Sequence, residues 1–501
     1  MREAGRGLRP LFLFVAVLAL GGCSAPGAGR VAPARGPLRV LLSDAILGLD
    51  PNPEVESVTE SVLFNVYEPL VGFDDKLGIR TMLAQSWEHP RPEQWRFRLR
   101  PGVSFHDGTA LSAPLTRDAL LSVKQAKGEA AEFLSQVKDI VAVDDRTLDL
   151  ITAEPRALLS SLPVVYIVKK NESDPFPPLV GTGPFRVVAH QQGGEIRLSR
   201  SNGYWGKRSD FESVSFLPVK DPVERLAKVN RGEADIAYDV PPALASGPGP
   251  SRILRRPGVT LYYLGLDLRG GNSNPLRRKD VRLALHTAID RERLVQEAQH
   301  GMAAAANQTA PSSIFGFNPK LVAPAPDPGR AKALLKQAGY PEGFALTIDA
   351  AREVLPAAQH VAADLQAVGL QAAVREGARH EVWDRAQQGR SQAFLVGWSF
   401  TSGESSEFFE YCLHTPTSSY GFFNYGHYSN PKIDAVAEEN AAILDPTDRQ
   451  RRLQEATTLV MEELPVLPLY VADDVYAVRE GISFLPRPDG EIWLPDVRDS
   501  R

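Results

Sequence analysis

Residues 95–99 alternate strictly: Trp95, Phe97 and Leu99 fall on one side, and Arg96, Arg98 and Arg100 on the other. A period of two predicts a half-buried strand. Pro101-Gly102 then matches the central positions of a type II turn, where Pro fixes φ and Gly accepts a positive value, so residues 103–105 are expected to return as the second strand of a hairpin. Upstream, residues 38–42 form a short β-type run, and residues 61–70 place Val62, Leu63, Val66 and Leu70 at helical spacing. The fold is expected to open strand, then helix. Three later helices carry cap signals: Asp280 ahead of Val281, Ala284, Leu285, Ala288 and Ile289; Asp327-Pro328 ahead of Ala331, Leu334, Leu335 and Ala338, with Gly339 placed to end it; and Asp445-Pro446 ahead of Leu453, Ala456 and Val460. Residues 345–348 and 392–396 read as short buried strands separated by a helix around residues 357–368. This alternation of strand and helix in the second half predicts an α/β domain.

The N-terminus has a different pattern. Arg2, Arg6 and Arg9 precede an unbroken apolar run over residues 11–20, followed by Gly21, Gly22 and Cys23. That is the layout of a signal peptide. Ten residues at a 1.5 Å rise cover about half of a roughly 30 Å hydrocarbon core, too little for a membrane span. Leu20-Gly21-Gly22-Cys23 resembles the bacterial lipobox, which implies cleavage before Cys23 and a lipid on its thiol. Residues 24–37, built mainly of Ala, Gly, Pro and Arg, read as a flexible tether with a reach on the order of 20 Å.

Composition narrows the class. A chain of 501 residues, 43% apolar and 23% charged, is an ordinary globular protein of two to four domains, which excludes disorder, collagen and a coiled-coil rod. Loss of residues 1–22 removes three Arg and one Glu and moves the formal net charge from −5 to −7. With no basic stripe carrying interleaved aromatics, nucleic acid is not an expected partner. Cys412 is the only other cysteine, so no disulfide is expected within the exported chain.

Catalytic signatures are missing. Residues 203–207 lack the spacing of a phosphate loop, and there is no dinucleotide fingerprint, His-Glu-x-x-His or serine elbow. His106-Asp107-Gly108 could pair a base with an orienting carboxylate, but an Asp-Gly turn accounts for it more simply. Cys412 and His414 have no second pair at ligand spacing, so no metal site and no cofactor are expected. The chain is read as a binding protein and not an enzyme.

A series of motifs then points to one family. Residues 84–88 (Ala-Gln-Ser-Trp-Glu) and the run from Trp95 to Gly108 come first. With them stand Asp50-Pro51, Tyr67-Glu68-Pro69-Leu70, Gly181-Thr182-Gly183-Pro184-Phe185, Asn202-Gly203-Tyr204-Trp205, Asp280-Val281-Arg282, Ala288-Ile289-Asp290-Arg291, residues 331–340 and Tyr428-Ser429-Asn430-Pro431. In this order the chain resembles extracellular solute-binding protein family 5, the oligopeptide and dipeptide receptors of ABC importers. The resemblance implies a two-lobed α/β periplasmic-binding-protein fold (type II, cluster C) with a hinge and an extra N-terminal subdomain. Lobe I would comprise residues 38–79, 180–262 and 470–501, the extra subdomain residues 80–179, and lobe II residues 263–469.

The same resemblance implies a cleft between the lobes that closes on a short peptide and presents it to a permease and its ATPase. The protein would be a monomer anchored at the bacterial cell envelope through Cys23. The implied ligand contacts are Glu54, Glu56 and Ser57 after the first Asp-Pro, then Tyr262 and Tyr263, the segment with Trp398, Ser399, Phe400, Thr401 and Glu404, and Tyr470. Trp87, Trp95 and Trp205 are expected to be core anchors. Thr401 stands where peptide-binding members carry the Asp that meets the peptide ammonium, and Glu404 is the expected substitute, with Glu407 nearby. A non-peptide solute such as an oligosaccharide, an opine-like compound or a metal chelate is the alternative ligand.

Overall fold

The computed structural model describes residues 36–52, 57–126, 128–171, 177–322 and 325–500. Cys23, Glu54 and Glu56 lie outside these. Ser57 opens the first helix, and its side chain also lies outside what is described.

An eleven-stranded sheet organises the chain. Near one end, Leu38–Leu42 runs parallel to Ser213–Pro218 and Ile236–Ala237; near the other, Ala345–Ala351 runs parallel to Gln371–Gly377 and Ala393–Ser399. Between these two groups lie the long antiparallel strands Arg252–Leu266 and Val466–Val478. Their two ends serve different cores. Leu254, Tyr476 and Val478 pack with Leu38, Val40 and Phe216, whereas Leu261, Tyr263, Leu469 and Tyr470 pack with Leu285, Ile348 and Phe394. The ladder between the long strands breaks between Pro257 and Leu261. Pro257 has no N–H to donate, so two α/β halves are joined where the sheet is least constrained.

The alternating segment is the strand Gln94–Leu99, and Trp95, Phe97 and Leu99 are buried in a third core. It belongs to a separate antiparallel sheet, with Ala84–Arg91 on one side and Thr147–Thr152 on the other. The expected hairpin partner is therefore corrected. Gly102 does take φ +74°, but Val103 and Phe105 insert into the core and the Thr147–Thr152 strand takes the free edge. Trp95 also donates from Nε1 to the Arg156 carbonyl at 2.7 Å, consistent with an anchoring role.

The first helix ends at Leu63 and does not continue to residue 70. Pro69 biases Glu68 toward extended backbone, and Glu68–Pro69 pairs with Tyr166–Ile167. Asp280 is not a cap either: Arg278 occupies that position and Asp280 sits in the first turn, where a carboxylate meets the positive end of the helix. Asp327 and Asp445 do cap, accepting from Arg330 N at 2.8 Å and from Thr447 and Asp448 N at 2.9 Å.

The motif residues prove to be mutually supporting. Glu68 is fully buried and accepts hydrogen bonds from Thr182 Oγ1 (2.8 Å), Tyr204 OH (2.9 Å) and Trp205 Nε1 (3.0 Å). One carboxyl thus ties together the Tyr-Glu-Pro-Leu, Gly-Thr-Gly-Pro and Tyr-Trp motifs. Gly181 has no alternative here, because a Cβ would lie 2.1 Å from the Val66 carbonyl oxygen.

Candidate functional site

In α/β sheets the natural ligand position is at the carboxyl ends of the parallel strands. Ala345–Ala351 and Ala393–Ser399 both end at a cavity of about 820 Å³. Its floor is formed by Thr260, Tyr262 and Tyr263 of the long strand and by residues 395–399 of its neighbour. Val382 and Trp383 from the helix Arg379–Gln387, with Phe422, Phe423 and Tyr425 from a loop, form one wall. Leu47 and Phe133 approach from elements outside that half.

Aromatic rings dominate the lining. Tyr262 stacks on Tyr470 with centroids 4.8 Å apart and planes 13° off parallel. Trp398 lies 5.5 Å from Phe423, 5.8 Å from Tyr411 and 6.3 Å from Phe408, centroid to centroid. Trp383, Phe422 and Phe423 remain 38–49% exposed although they are large and apolar, so three rings face solvent around one opening. Polar groups are few and localised: Arg379 Nε lies 2.7 Å from Glu353 Oε1, and the Thr260 and Ser399 hydroxyls lie 2.7 Å apart. An apolar cleft with a few convergent polar groups is the usual form of a small-ligand site.

Of the expected contacts, Tyr262, Tyr263, Trp398, Ser399 and Thr401 line this cavity. Tyr470 is 1% exposed and supports Tyr262 from behind, and Phe400 points into the core. Glu404 is placed differently from the expectation. It pairs with Arg449 at 2.6 Å and lines an adjoining chamber of about 80 Å³, so its charge is already met by a protein cation. Arg379, Glu353 and Trp383 were missed by sequence reasoning. The aromatic density of residues 420–425, Tyr-Gly-Phe-Phe-Asn-Tyr, was a signal that could have drawn attention to the wall.

His106 is a structural residue. Its Nε2 lies 3.0 Å from the Gly183 carbonyl oxygen and burial pushes its pKa down to about 4, while Asp107 accepts from Thr109 N at 3.0 Å. Among the described residues no group of three or more His, Cys, Asp or Glu side chains is arranged to hold a metal ion, and no helix is long and apolar enough to cross a membrane.

Burial raises several carboxyls, Glu407 to about 8 and Glu68, Glu410 and Asp474 to about 7. Groups raised in the folded state stabilise it when protonated, so their contribution is complete below about pH 4 and is lost as pH rises through 7 to 8. Asp235 and Asp349 act in the opposite sense. Burial opposes their ionisation, but Arg39 and Arg375 respectively hold them below the ordinary 3.8, so their contribution is lost only under acid conditions. The thermal midpoint is therefore expected to fall between pH 5 and pH 8. A scanning-calorimetry series that rose over that interval would contradict this.

Comparison with known proteins agrees with the geometry. Residues 78–420, more than half of the chain, match the bacterial extracellular solute-binding proteins, family 5 Middle. The glutathione-binding protein GsiB of Pectobacterium atrosepticum is 26% identical over 453 residues, 85% of this chain and 87% of that one. Among solved structures, the ABC transporter substrate-binding protein CtaP of Listeria monocytogenes superposes with a TM-score of 0.81 at 19% identity, covering 93% of this chain and 99% of that one. The periplasmic binding protein DppA of Helicobacter pylori, in complex with the peptide STSA, gives 0.73 at 21% identity, covering 93% and 98%. The fold is the two-lobed type II periplasmic-binding-protein fold, and the chain belongs to the bacterial extracellular solute-binding proteins of family 5, the substrate-binding components of ABC importers.

Proposed function

We propose that this protein captures a short peptide in the aromatic cleft and delivers it to the permease of an ABC importer. The observation that carries the reading is that Tyr262, Trp398, Phe422 and Phe423 line one cavity together with the Arg379–Glu353 pair. Aromatic faces exclude water from a peptide backbone without demanding one side-chain sequence. Arg379 offers a planar fork for a peptide carboxylate, and Glu353 is the counter-charge it would exchange. At about 820 Å³ the cavity suits a peptide of a few residues. A relative named for glutathione and a structural neighbour holding a peptide support the same class.

The mechanism is ligand-gated closure. Leu47 and Phe133 line the cavity from one side and the Trp398 wall from the other, so a solute touching both favours the arrangement that brings them together. The lobe exchanges proposed at residues 262–263 and 469–470 fall within the two long strands. No covalent step is involved. A lipid on Cys23 would hold the receptor beside its permease at raised effective concentration. Cys23→Ala is expected to move the protein from the membrane to the soluble fraction and to remove the lipid mass increment; an unchanged distribution would contradict the anchor.

A second reading is favoured by Thr401, a hydroxyl where an acidic residue was expected, which suits a non-peptide solute of the same importer class. Native mass spectrometry of the protein purified gently from its own cells separates the two. Masses spaced as amino-acid residues support the peptide reading, and one non-peptide mass moves the assignment to the other solute.

A further inference from the structure

The chamber of about 80 Å³ beside the cleft lies between two segments that are anchored to different cores. On one side, residues 156–161 are fixed to the third core: Leu158 is buried in it, and the Arg156 carbonyl accepts from Trp95 Nε1 at 2.7 Å. That core is tied to the half containing Leu38, because Tyr166 and Ile167 are neighbours in the chain and enter one core each. On the other side, Asn440 and Ala441 follow the helix Pro431–Glu439, whose Ile433 and Ala437 pack in the core of Leu285 and Ile348. The segments meet at a backbone hydrogen bond, Ala157 N to Ala441 O at 2.7 Å. Beside it, Ser160 and Arg156 act across the chamber on Glu404 and Glu410. The enclosed charges do not balance. Glu404 is met by Arg449 at 2.6 Å and Glu410 by the charge of Arg156, which leaves Glu407 over. Glu407 is 6% exposed, and its Oε2 accepts from Ser402 N at 3.2 Å. Among the described residues, Glu407 Oε1, Asn440 Oδ1 and Arg449 Nε have no hydrogen-bond partner, so the chamber mixes unused acceptors with an unused donor and a single ion of either sign would leave one kind unmet.

We propose that residues 156–161 and 404–441 form a latch between the two halves of the molecule, closed while Glu407 and Glu410 are protonated and released when they ionise. The latch goes beyond the solute reading: it needs the halves to separate, as capture by closure does, but neither a solute nor its identity. A protonated carboxyl is both donor and acceptor, which suits the mixed surface of the chamber, whereas a third carboxylate beside two already paired ones would be a charge held out of water without a counter-ion. Parting the two segments removes the Arg156–Ser160 wall and lets water reach both carboxyls. Ionisation then costs little, so the open arrangement is the one that tolerates the charge.

The direction of the pH dependence follows from the same geometry. Burial raises Glu407 to about 8, with the charge of Glu410 adding to it and hydrogen bonding by Ser402 and Trp398 opposing it. Burial likewise raises Glu410 to about 7, against the charge of Arg156 and with that of Glu404. The other charged groups around the chamber are the Glu404–Arg449 pair and Glu132, which is exposed. Tyr411 lines it as well, and Cys412 and Tyr420 lie close, but burial holds that thiol and the Tyr420 phenol above their ordinary values, so both stay neutral. A carboxyl whose pKa is higher in the closed form stabilises closure fully below the ordinary 4.5 and loses that contribution as pH rises through its closed value. The latch therefore weakens as pH rises through 7 to 8, and closing it takes up protons.

The Ala157 amide reports the latch directly, because its hydrogen bond is the one that opening breaks. The test is amide hydrogen exchange by mass spectrometry on the full protein without added solute, at pH 6.0 and pH 8.5, with each rate divided by the intrinsic rate at that pH to give a protection factor. In wild type the protection of the peptide carrying Ala157 is expected to fall by at least about tenfold from pH 6.0 to pH 8.5, and that of the strand Gln94–Leu99 by much less. The double variant Glu407→Gln, Glu410→Gln keeps both side chains neutral and is expected to retain the Ala157 protection at pH 8.5. If circular dichroism shows the double variant unfolded, Glu407→Gln alone is expected to remove the larger part of the loss. Equal protection of wild type at both pH values, or the same loss in a folded Gln variant, would overturn the latch and leave solute capture in the cleft untouched. A latch that responds as stated in a protein whose solute proves to sit elsewhere would stand while the capture reading failed.

Discussion

Trp398→Ala is expected to weaken capture of the co-purified solute by about 30-fold or more, equivalent to roughly 2 kcal/mol, the range of an interface hot spot. The indole lies at the end of the Ala393–Ser399 strand and is held by Tyr411, Phe423 and Phe408. Truncation would remove the centre of the wall and admit water beside Glu407. Because Trp398 is only half-buried, the fold should survive, and a denaturation midpoint measured in parallel separates lost binding from lost structure. Trp398→Phe keeps a ring and is expected to recover most of the affinity. Full affinity in a folded Trp398→Ala protein, by calorimetric titration, would show that the solute sits elsewhere.

The second large effect concerns stability. Glu68→Ala leaves the Thr182 hydroxyl, the Tyr204 hydroxyl and the Trp205 indole without the acceptor they share. Each buried donor left unsatisfied costs about 1–3 kcal/mol, so a loss on the order of 3–9 kcal/mol is expected, seen as a lower urea midpoint. Glu68→Gln retains one carbonyl oxygen and is expected to fall between. An Ala variant as stable as wild type would mean that the three motifs are held by packing alone. Since those motifs join the N-terminal helix to the segments at residues 181–184 and 204–205, the damage should appear as loss of the folded state and not as a binding defect.

Local pattern read well where one force dominates. The strand at residues 94–99 was legible because a single face is buried, and the caps at Asp327 and Asp445 because side-chain capping is a local event. Errors arose where a distant segment decides. The partner of Gln94–Leu99 depends on Thr147–Thr152 arriving at its edge, and the first helix stops at Leu63 because Glu68–Pro69 pairs with Tyr166–Ile167. The site was half legible for the same reason. Tyr262 and Trp398 were accessible through family resemblance. The Arg379–Glu353 pair joins residues 26 positions apart that carry no motif, and the fate of Glu404 depends on Arg449, 45 positions away. The resemblance pointed to Glu404 with Glu407 nearby, whereas only the packed structure shows that Glu404 is paired with Arg449 and that Glu407 is a buried carboxyl lining both cavities.

The most direct test of the central claim is a crystal structure of the protein with the solute that co-purifies with it. Density between the Tyr262–Trp398 wall and the side formed by Leu47 and Phe133, with the lobes closed over it, is the result predicted here. Solute density outside this cleft, or within it against only one lobe and with no closure, would contradict capture by lobe closure.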